Sequence, residues 1–98
     1  MTVYVDKLVP CRPTANWPFS FSCHMIADNT IELHAMARKI GLKRSWYQCG
    51  SILPHYDLTA TKRRQAILMG AVSIDKREVW RRIQAARALE ETHGNSGI

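Results

Sequence analysis

Helical spacing of apolar residues is clearest in the middle of this chain. The first predicted helix begins near Asn29, which has capping-box spacing to Glu32, and it ends before Gly41. Its apolar residues recur every three or four positions and form one face: Leu33, Met36, Ala37 and Ile40. This face should pack against the rest of the fold.

Two more helices are predicted in the second half of the chain. One runs from Thr59 or Ala60 to Met69 and ends at Gly70, with Lys62 to Arg64 nearer solvent. The other starts at a second capping box, Asp75 with Glu78, and reaches about Glu91. Its apolar side is formed by Val79, Trp80, Ile83 and Ala86.

Short runs of β-branched and aromatic residues predict three strands, at Val3–Val5, Ser45–Gln48 and Ala71–Ile74. The segment Phe21–Ala27 is either a strand or the entry to a helix, because its apolar residues fit neither period over enough length to decide. The proline-rich segment Leu8–Phe21 is predicted to be a loop with aromatic anchors, or a lid. Alternating strands and helices favour an α/β fold with a small, three-stranded, mainly parallel sheet and about three helices.

The predicted boundaries are a single α/β domain over residues 1–91 and a flexible tail over residues 92–98, because the tail is rich in glycine and polar residues. The predicted core consists of apolar residues that share one face of their element: Leu33, Met36, Ile40, Ile67, Met69, Val72, Val79 and Ile83.

Composition is that of a globular protein, with 98 residues, 46% hydrophobic and 22% charged. No apolar run approaches the ~20 residues of a membrane span. The N-terminal residues lack the basic start and the long apolar middle of a signal peptide, so we expect a cytoplasmic protein without membrane contact. The three cysteines are widely spaced and lack a C-x-x-C pair, which predicts reduced thiols: Cys11, Cys23 and Cys49.

The net charge of +6 attracts polyanions, so nucleic acid or a phosphate-bearing small molecule is a candidate partner. The basic residues are spread along the chain, however, and a solvated surface explains them equally well. No zinc-finger, RNP or heptad pattern indicates a known nucleic-acid-binding module.

The stretch His55-Tyr56-Asp57 places an imidazole, a phenol and a carboxylate between a turn and a helix start. Asp6 follows the first predicted strand, and polar groups at the carboxyl ends of parallel strands gather in one crevice. We therefore predict that Asp6, His55 and Asp57 belong to one catalytic or metal-binding site, whereas an Asx turn is the alternative explanation for Asp6.

An ordered set of motifs along residues 3 to 77 resembles the domain of unknown function 4031, a family frequent in bacteriophage and bacterial genomes. The matching motifs are Val3-Tyr4-Val5-Asp6, Cys23 to Asp28, Glu32 to Ala37, Gly41 to Arg44 with Trp46 and Gln48, His55 to Leu58, Lys62-Arg63 and Gly70 to Val72. The resemblance implies a phage or bacterial origin and a functional patch of Asp6, His24, Asp28, His34, His55 and Asp57. It implies no particular activity.

The three residues that the resemblance adds have structural alternatives. His24 is a candidate catalytic residue and metal ligand with His55 and Asp57, or else a histidine satisfied by a carbonyl. Asp28 is a candidate ligand-binding residue or a helix cap, and His34 lies beside the apolar helix face, where packing is the simpler role.

Two functions follow from this site. The first is hydrolysis or processing of a nucleotide-type phosphoester by Asp6, His24, His55 and Asp57, assisted by a divalent metal ion. The alternative is a non-catalytic protein that binds a nucleotide, a nucleic acid or a host protein, for example as an anti-defence factor. In both, the ligand-binding candidates are Asp28, His34, Trp46, Tyr56, Lys62 and Arg63.

Overall fold

The computed structural model describes residues 2–49, 53–75, 77–78, 81–82 and 84–85. Its elements are β1 (Val3–Val5), β2 (Val9–Pro10), β3 (Phe21–Ala27), α1 (Thr30–Lys39), a 3₁₀ helix (Arg44–Trp46), β4 (Tyr56–Leu58), α2 (Ala60–Leu68) and β5 (Val72–Ser73). The α/β class is confirmed.

Strand β3 lies at the centre of the described sheet. Met25 pairs with Val5 of β1 and with Tyr56 of β4, so these two strands flank β3, and both run antiparallel to it. Strand β2 pairs antiparallel with the start of β3, and β5 pairs parallel with β1. The described sheet therefore has five strands and is mainly antiparallel, and the prediction of a three-stranded, mainly parallel sheet was wrong.

The error has two local causes. Phe21–Ala27, whose apolar residues did not decide between strand and helix, is the longest described strand, and in it Cys23 and Met25 are buried while His24 between them is exposed. The predicted strand Ser45–Gln48 is instead a 3₁₀ helix followed by an isolated bridge between Gln48 and His55. Aromatic content alone thus misassigned that segment.

The core lies between one face of the sheet and the two helices α1 and α2. It consists of buried residues from the strands, the helices and Ala71: Val3, Val5, Cys23, Met25, Leu33, Met36, Ala37, Ile40, Tyr56, Leu58, Ala66 and Ala71. The predicted core positions Leu33, Met36 and Ile40 are confirmed.

Helix α2 packs differently from its prediction. Ile67, Met69 and Val72 are exposed, so their assignment to the core was wrong. Ala66 is the buried residue of α2, and Lys62 and Arg63, one turn earlier on the same side, are only partly exposed. Both side chains are hydrogen-bonded to backbone carbonyls, Lys62 to that of Ile40 and Arg63 to that of Asp6, and a hydrophobic pattern does not register such contacts.

Capping side chains set the starts of both helices. Asn29 accepts a hydrogen bond from the Glu32 backbone N–H at 2.8 Å, and Thr59 accepts one from Lys62 at 3.2 Å. Gly41, just past the end of α1, has a φ of +80°, which favours glycine.

The third predicted helix falls partly outside the described residues. Residues 77–78, 81–82 and 84–85 are helical, and Asp75 accepts a hydrogen bond from the Glu78 backbone N–H at 3.0 Å. The apolar residues of that helix and the tail 92–98 lie outside the described part. Within the described part, no helix has the length and apolar character needed to cross a bilayer.

Candidate metal centre

Strand pairing brings His24, His55 and Asp57 to the same face of the sheet. His24 in β3 lies directly opposite Asp57 in β4. His55 precedes Asp57 by two residues, and side chains two apart on an extended chain point the same way. This face is opposite to the one that α1 and α2 cover, because Cys23, Met25, Tyr56 and Leu58 alternate with these residues and are buried.

Asp6 reaches the site because it continues the register of β1 against β3. Val5 pairs with Met25, and Asp6 donates its backbone N–H to the His24 carbonyl oxygen at 3.1 Å. The register changes by one residue only beyond Asp6, before Val9 pairs with Ser22. Asp6 Oδ1 accepts the backbone N–H of His24 at 2.6 Å, and Oδ2 lies 2.8 Å from His24 Nδ1. The buried carboxylate therefore holds both the backbone and the ring of His24.

These contacts orient both imidazole rings. A carboxylate accepts the Nδ1 proton of His24, and the carbonyl oxygen of Leu53 accepts that of His55 at 2.9 Å. The Nε2 atoms of both rings are then left to face Asp57 Oδ1, at 3.9 Å from His24 and 3.4 Å from His55. The two rings lie edge to face with their centroids 4.9 Å apart.

The other oxygen of Asp57, Oδ2, accepts a hydrogen bond from the side-chain N–H of Gln48. Gln48 was not among the predicted site residues. Because Gln48 also pairs with His55 through its backbone N–H, at 2.9 Å from the carbonyl oxygen, the same residue positions two members of the cluster. Asp57 Oδ1 is thereby directed toward the two histidines.

Charge coupling within the cluster shifts the ionisation of His55 and Asp57. Burial lowers the pKa of His55, but the interactions with Asp57, the Leu53 carbonyl and the charge of Asp6 outweigh it and raise the pKa above its ordinary 6.5. The adjacent His55 holds the pKa of Asp57 below its ordinary value, against the effect of burial. Without a metal ion, the two therefore favour an imidazolium and a carboxylate.

The same three side chains have the spacing of a metal site. One ligand atom from each of His24, His55 and Asp57 lies within 4.8 Å of the others. Ligands about 2.1 Å from a tetrahedral Zn²⁺ are about 3.4 Å apart. The separation of 3.4 Å between His55 Nε2 and Asp57 Oδ1 matches this value, and the 3.9 Å between His24 Nε2 and Asp57 Oδ1 is somewhat longer. A carboxylate on the far nitrogen of a histidine, as Asp6 is on His24, is the usual support of a metal-binding imidazole.

The structure separates Tyr56 and His34 from this cluster. Tyr56 is buried on the opposite face of β4, and its hydroxyl is hydrogen-bonded to His34 Nδ1 at 2.8 Å. The His34 ring packs edge-on against Tyr47, with centroids 4.5 Å apart. Burial and the charge of Arg44 lower the pKa of His34, which favours its neutral form.

Three further predicted ligand-binding residues make structural contacts. Asp28 accepts the backbone N–H of Thr2 at 2.9 Å and pairs with Arg82 at 3.2 Å. Arg63 donates to the backbone oxygen of Asp6 at 2.8 Å and to Ser73 at 2.9 Å, which fixes α2 against the strand ends.

Lys62 donates to the Ile40 carbonyl at 2.6 Å, at the end of α1. Cys23 adjoins His24 in β3, but its side chain is buried. Burial and the nearby charge of Asp6 raise the pKa of its thiol to about 12, which disfavours the nucleophilic thiolate at neutral pH.

A family model described as Protein of unknown function (DUF4031) matches residues 3–86. The chain belongs to this family. The match includes every residue of the cluster and extends beyond the range of the resembling motifs, into the helical residues at the end of the described part. No curated protein and no solved structure matches the chain.

Trp46 is half exposed and lines a cleft that begins beside the cluster, at Gln48 and Asp57. The opposite wall of this cleft comes from the proline-rich segment, which the sequence had identified only as a loop with aromatic anchors. The signal for its role was the density of aromatic residues in a segment that cannot bury them: Trp17, Phe19 and Phe21.

Proposed function

We propose that the protein hydrolyses a phosphoester, with a divalent metal ion bound by His24, His55 and Asp57. The observation that carries this proposal is the convergence of two Nε2 atoms on one carboxylate oxygen, with each Nδ1 held by an acceptor. A fold gains little from crowding these groups together, whereas a metal ion requires them in this orientation.

Three protein ligands leave coordination positions for water and substrate, the arrangement of catalytic rather than structural metal sites. The side chains of His24 and Asp57 are 46% and 32% exposed, so both can be reached from solvent. A divalent ion held by these residues would lower the pKa of a coordinated water toward neutrality, which is the chemistry it would supply. Two histidines with one carboxylate suit Zn²⁺, Mn²⁺ or Fe²⁺.

The chain's own residues have distinct parts in this reaction. Asp6 and Gln48 are positioning residues, because they act through His24 and Asp57. Water oxygen forms a bond to phosphorus, the bond from phosphorus to the leaving oxygen breaks, and the proton lost by water is balanced by the one that the leaving oxygen gains. The net positive charge of the protein favours an anionic substrate.

Titration of metal-free protein with ZnCl₂ by isothermal calorimetry tests the metal site. We expect one Zn²⁺ per chain, no binding by His55→Ala, and affinity lowered about 10- to 100-fold by Asp6→Asn, the usual effect of removing a supporting carboxylate. The matched control is His34→Ala, which removes a histidine from the other face and should bind Zn²⁺ as the wild type does. Circular dichroism verifies that each variant is folded.

Turnover of bis(p-nitrophenyl) phosphate in the presence of Zn²⁺ or Mn²⁺ tests the reaction itself. Hydrolysis that His55→Ala abolishes and His34→Ala retains supports the proposal. Metal binding without turnover of any phosphoester would instead favour the alternative, a non-catalytic binding protein. Failure of the wild type to bind any divalent ion would overturn the metal site.

A further inference from the structure

A cleft next to the metal-site cluster is lined mainly by aromatic and aliphatic groups. It has a volume of about 910 Å³ and lies between the proline-rich segment on one side and the 3₁₀ helix and the start of α2 on the other. We call it the aromatic cleft and define it by Trp17, Phe19, Phe21 and Trp46. Gln48 and Asp57 are among its lining residues, so the cleft adjoins the proposed metal site.

Three of these aromatic side chains are unusually open to solvent. Phe19 is 46% exposed, Phe21 47% and Trp46 50%, whereas Tyr56 in the core is 1% exposed. Isolated exposed apolar residues need no explanation, but aromatic residues on both walls of one cleft indicate a ligand with flat faces.

The proline-rich wall is held in place by its own hydrogen bonds. Thr14 and Trp17 exchange backbone hydrogen bonds at 2.8 and 3.2 Å, and Cys11 donates to the Ser20 carbonyl at 2.8 Å. The Trp17 indole N–H donates to the Phe21 carbonyl at 3.2 Å, and the Trp17 and Phe19 rings meet edge to face at 5.2 Å. The wall is therefore preorganised, which lowers the entropic cost of binding.

Positive charge adjoins the aromatic rings. Lys62 lines the cleft, and the Lys43 ammonium lies 5.6 Å from the centre of the Trp46 ring on the opposite wall from the proline-rich segment. Among the described residues that line the cleft, Asp57 is the acidic one. A ligand that combines flat rings with negative charge complements this arrangement.

We propose that the aromatic cleft binds single-stranded nucleic acid and delivers one of its phosphodiesters to the metal site. Bases stack on Trp46 and on Phe19 or Phe21, and backbone phosphates lie near Lys43 and Lys62. A duplex hides the faces of its bases, so it cannot occupy the cleft in this way. The cleft is near the top of the ~300 to 1,000 Å³ range of small-ligand sites, which favours more than one base.

This inference rests on the proposed function for its chemical step and on the aromatic cleft for its binding step. Hydrolysis adds the oxygen of water to phosphorus and releases the sugar oxygen of one neighbouring nucleotide. The products are a strand that ends in a phosphomonoester and a strand that ends in a hydroxyl, with the two protons of water shared between them.

Fluorescence anisotropy with a labelled dT12 oligonucleotide, in EDTA so that neither metal nor cleavage contributes, tests the binding step. Trp46→Ala should weaken binding about five- to 150-fold, the range for losing one stacked base. Trp46→Phe should restore most of the affinity. The control is Leu68→Ala, which removes an exposed apolar side chain from α2 outside the cleft and should bind as the wild type does. Phe19→Ala gives a second, independent measurement on the opposite wall.

Wild-type affinity in both Trp46→Ala and Phe19→Ala would overturn the proposal. So would equal affinity for a 12-base-pair duplex, or full displacement of dT12 by thymidine monophosphate at the same nucleotide concentration, which would indicate a mononucleotide site. Binding of dT12 by a protein that binds no Zn²⁺ would refute the metal site and leave the cleft assignment standing. Zn²⁺ binding without dT12 binding would refute the cleft assignment alone.

Discussion

His55 and His34 lie on opposite sides of the sheet, and their surroundings shift their pKa values in opposite directions. His55 faces Asp57, and the coupling to carboxylates raises its pKa despite burial. His34 on α1 packs against Tyr47 and the hydroxyl of Tyr56, where burial and Arg44 lower its pKa. One histidine is therefore suited to charge and metal chemistry and the other to packing.

Strand β4 produces this division. His55 and Asp57 point to the open face, whereas Tyr56 between them points into the core. Three consecutive residues that carry polar groups thus belong to two different parts of the molecule, because side chains alternate along an extended chain. Consecutive polar residues on a strand therefore have to be separated into the two faces of the sheet before any of them is assigned to one site.

The largest expected effect that tests this comparison is on stability. Tyr56→Ala should lower the free energy of unfolding by about 3 to 5 kcal/mol, the cost of deleting a buried aromatic side chain. His55→Ala should lower it by about 1 kcal/mol or less, because an ion pair that is partly open to solvent contributes little. Urea unfolding measures both values.

Tyr56→Phe is the control for the first substitution. It keeps the ring and removes only the hydroxyl that bonds to His34, so a loss of about 1 kcal/mol is expected. If His55→Ala destabilised the protein as strongly as Tyr56→Ala, His55 would be a structural residue and the division between the two faces would be wrong.

The second prediction concerns proton binding in the metal-free protein. An NMR titration of the histidine ring signals should give a midpoint above 6.5 for His55 and below 6.5 for His34. Asp57→Asn should lower the midpoint of His55, because it removes the charge that favours the imidazolium, and should leave that of His34 in place. Equal midpoints for the two histidines would contradict the difference described above.

The smallest expected effect is on the pH dependence of stability, where the two histidines have opposite signs. Because folding raises the pKa of His55, its protonation stabilises the folded protein fully below pH 6.5. This stabilisation is lost as pH rises through the pKa of His55 in the folded state. The lowered pKa of His34 gives a penalty at acid pH, which is relieved as pH rises through 6.5.

Above pH 6.5, His55→Gln should remove the fall in the free energy of unfolding that His55 causes as pH rises. Below pH 6.5, His34→Gln should remove the rise that His34 causes. Thermal unfolding at a series of pH values measures the two slopes. A change of the same sign in both variants would show that the two histidines share one environment.

Local signals were sufficient for the helices and for part of the site. The caps Asn29 and Thr59, together with Gly41 and Gly70, bounded α1 and α2, because a helix end must satisfy its own backbone groups within a few residues. The spacing of His55 and Asp57, two residues apart on one strand, is likewise a local signal, and it indicated a candidate site. These features depend on neighbours in the sequence.

Strand partners were decided by the tertiary structure. Phe21–Ala27 had no decisive period, and only its pairing with β1, β2 and β4 made it the central strand and placed His24 opposite Asp57. The grouping of Asp6 with the histidine loop was argued from parallel strand ends, yet Asp6 lies opposite His24 because β1 and β3 pair antiparallel.

Gln48, the Leu53 carbonyl and the aromatic cleft likewise required three-dimensional contacts that no local pattern encodes. Helix ends and side-chain alternation are settled by interactions within a few residues, and the sequence alone determined them. Strand order, bulges and clefts depend on contacts between residues far apart in the chain, whose loop-closure cost and packing are decided only when the whole fold forms.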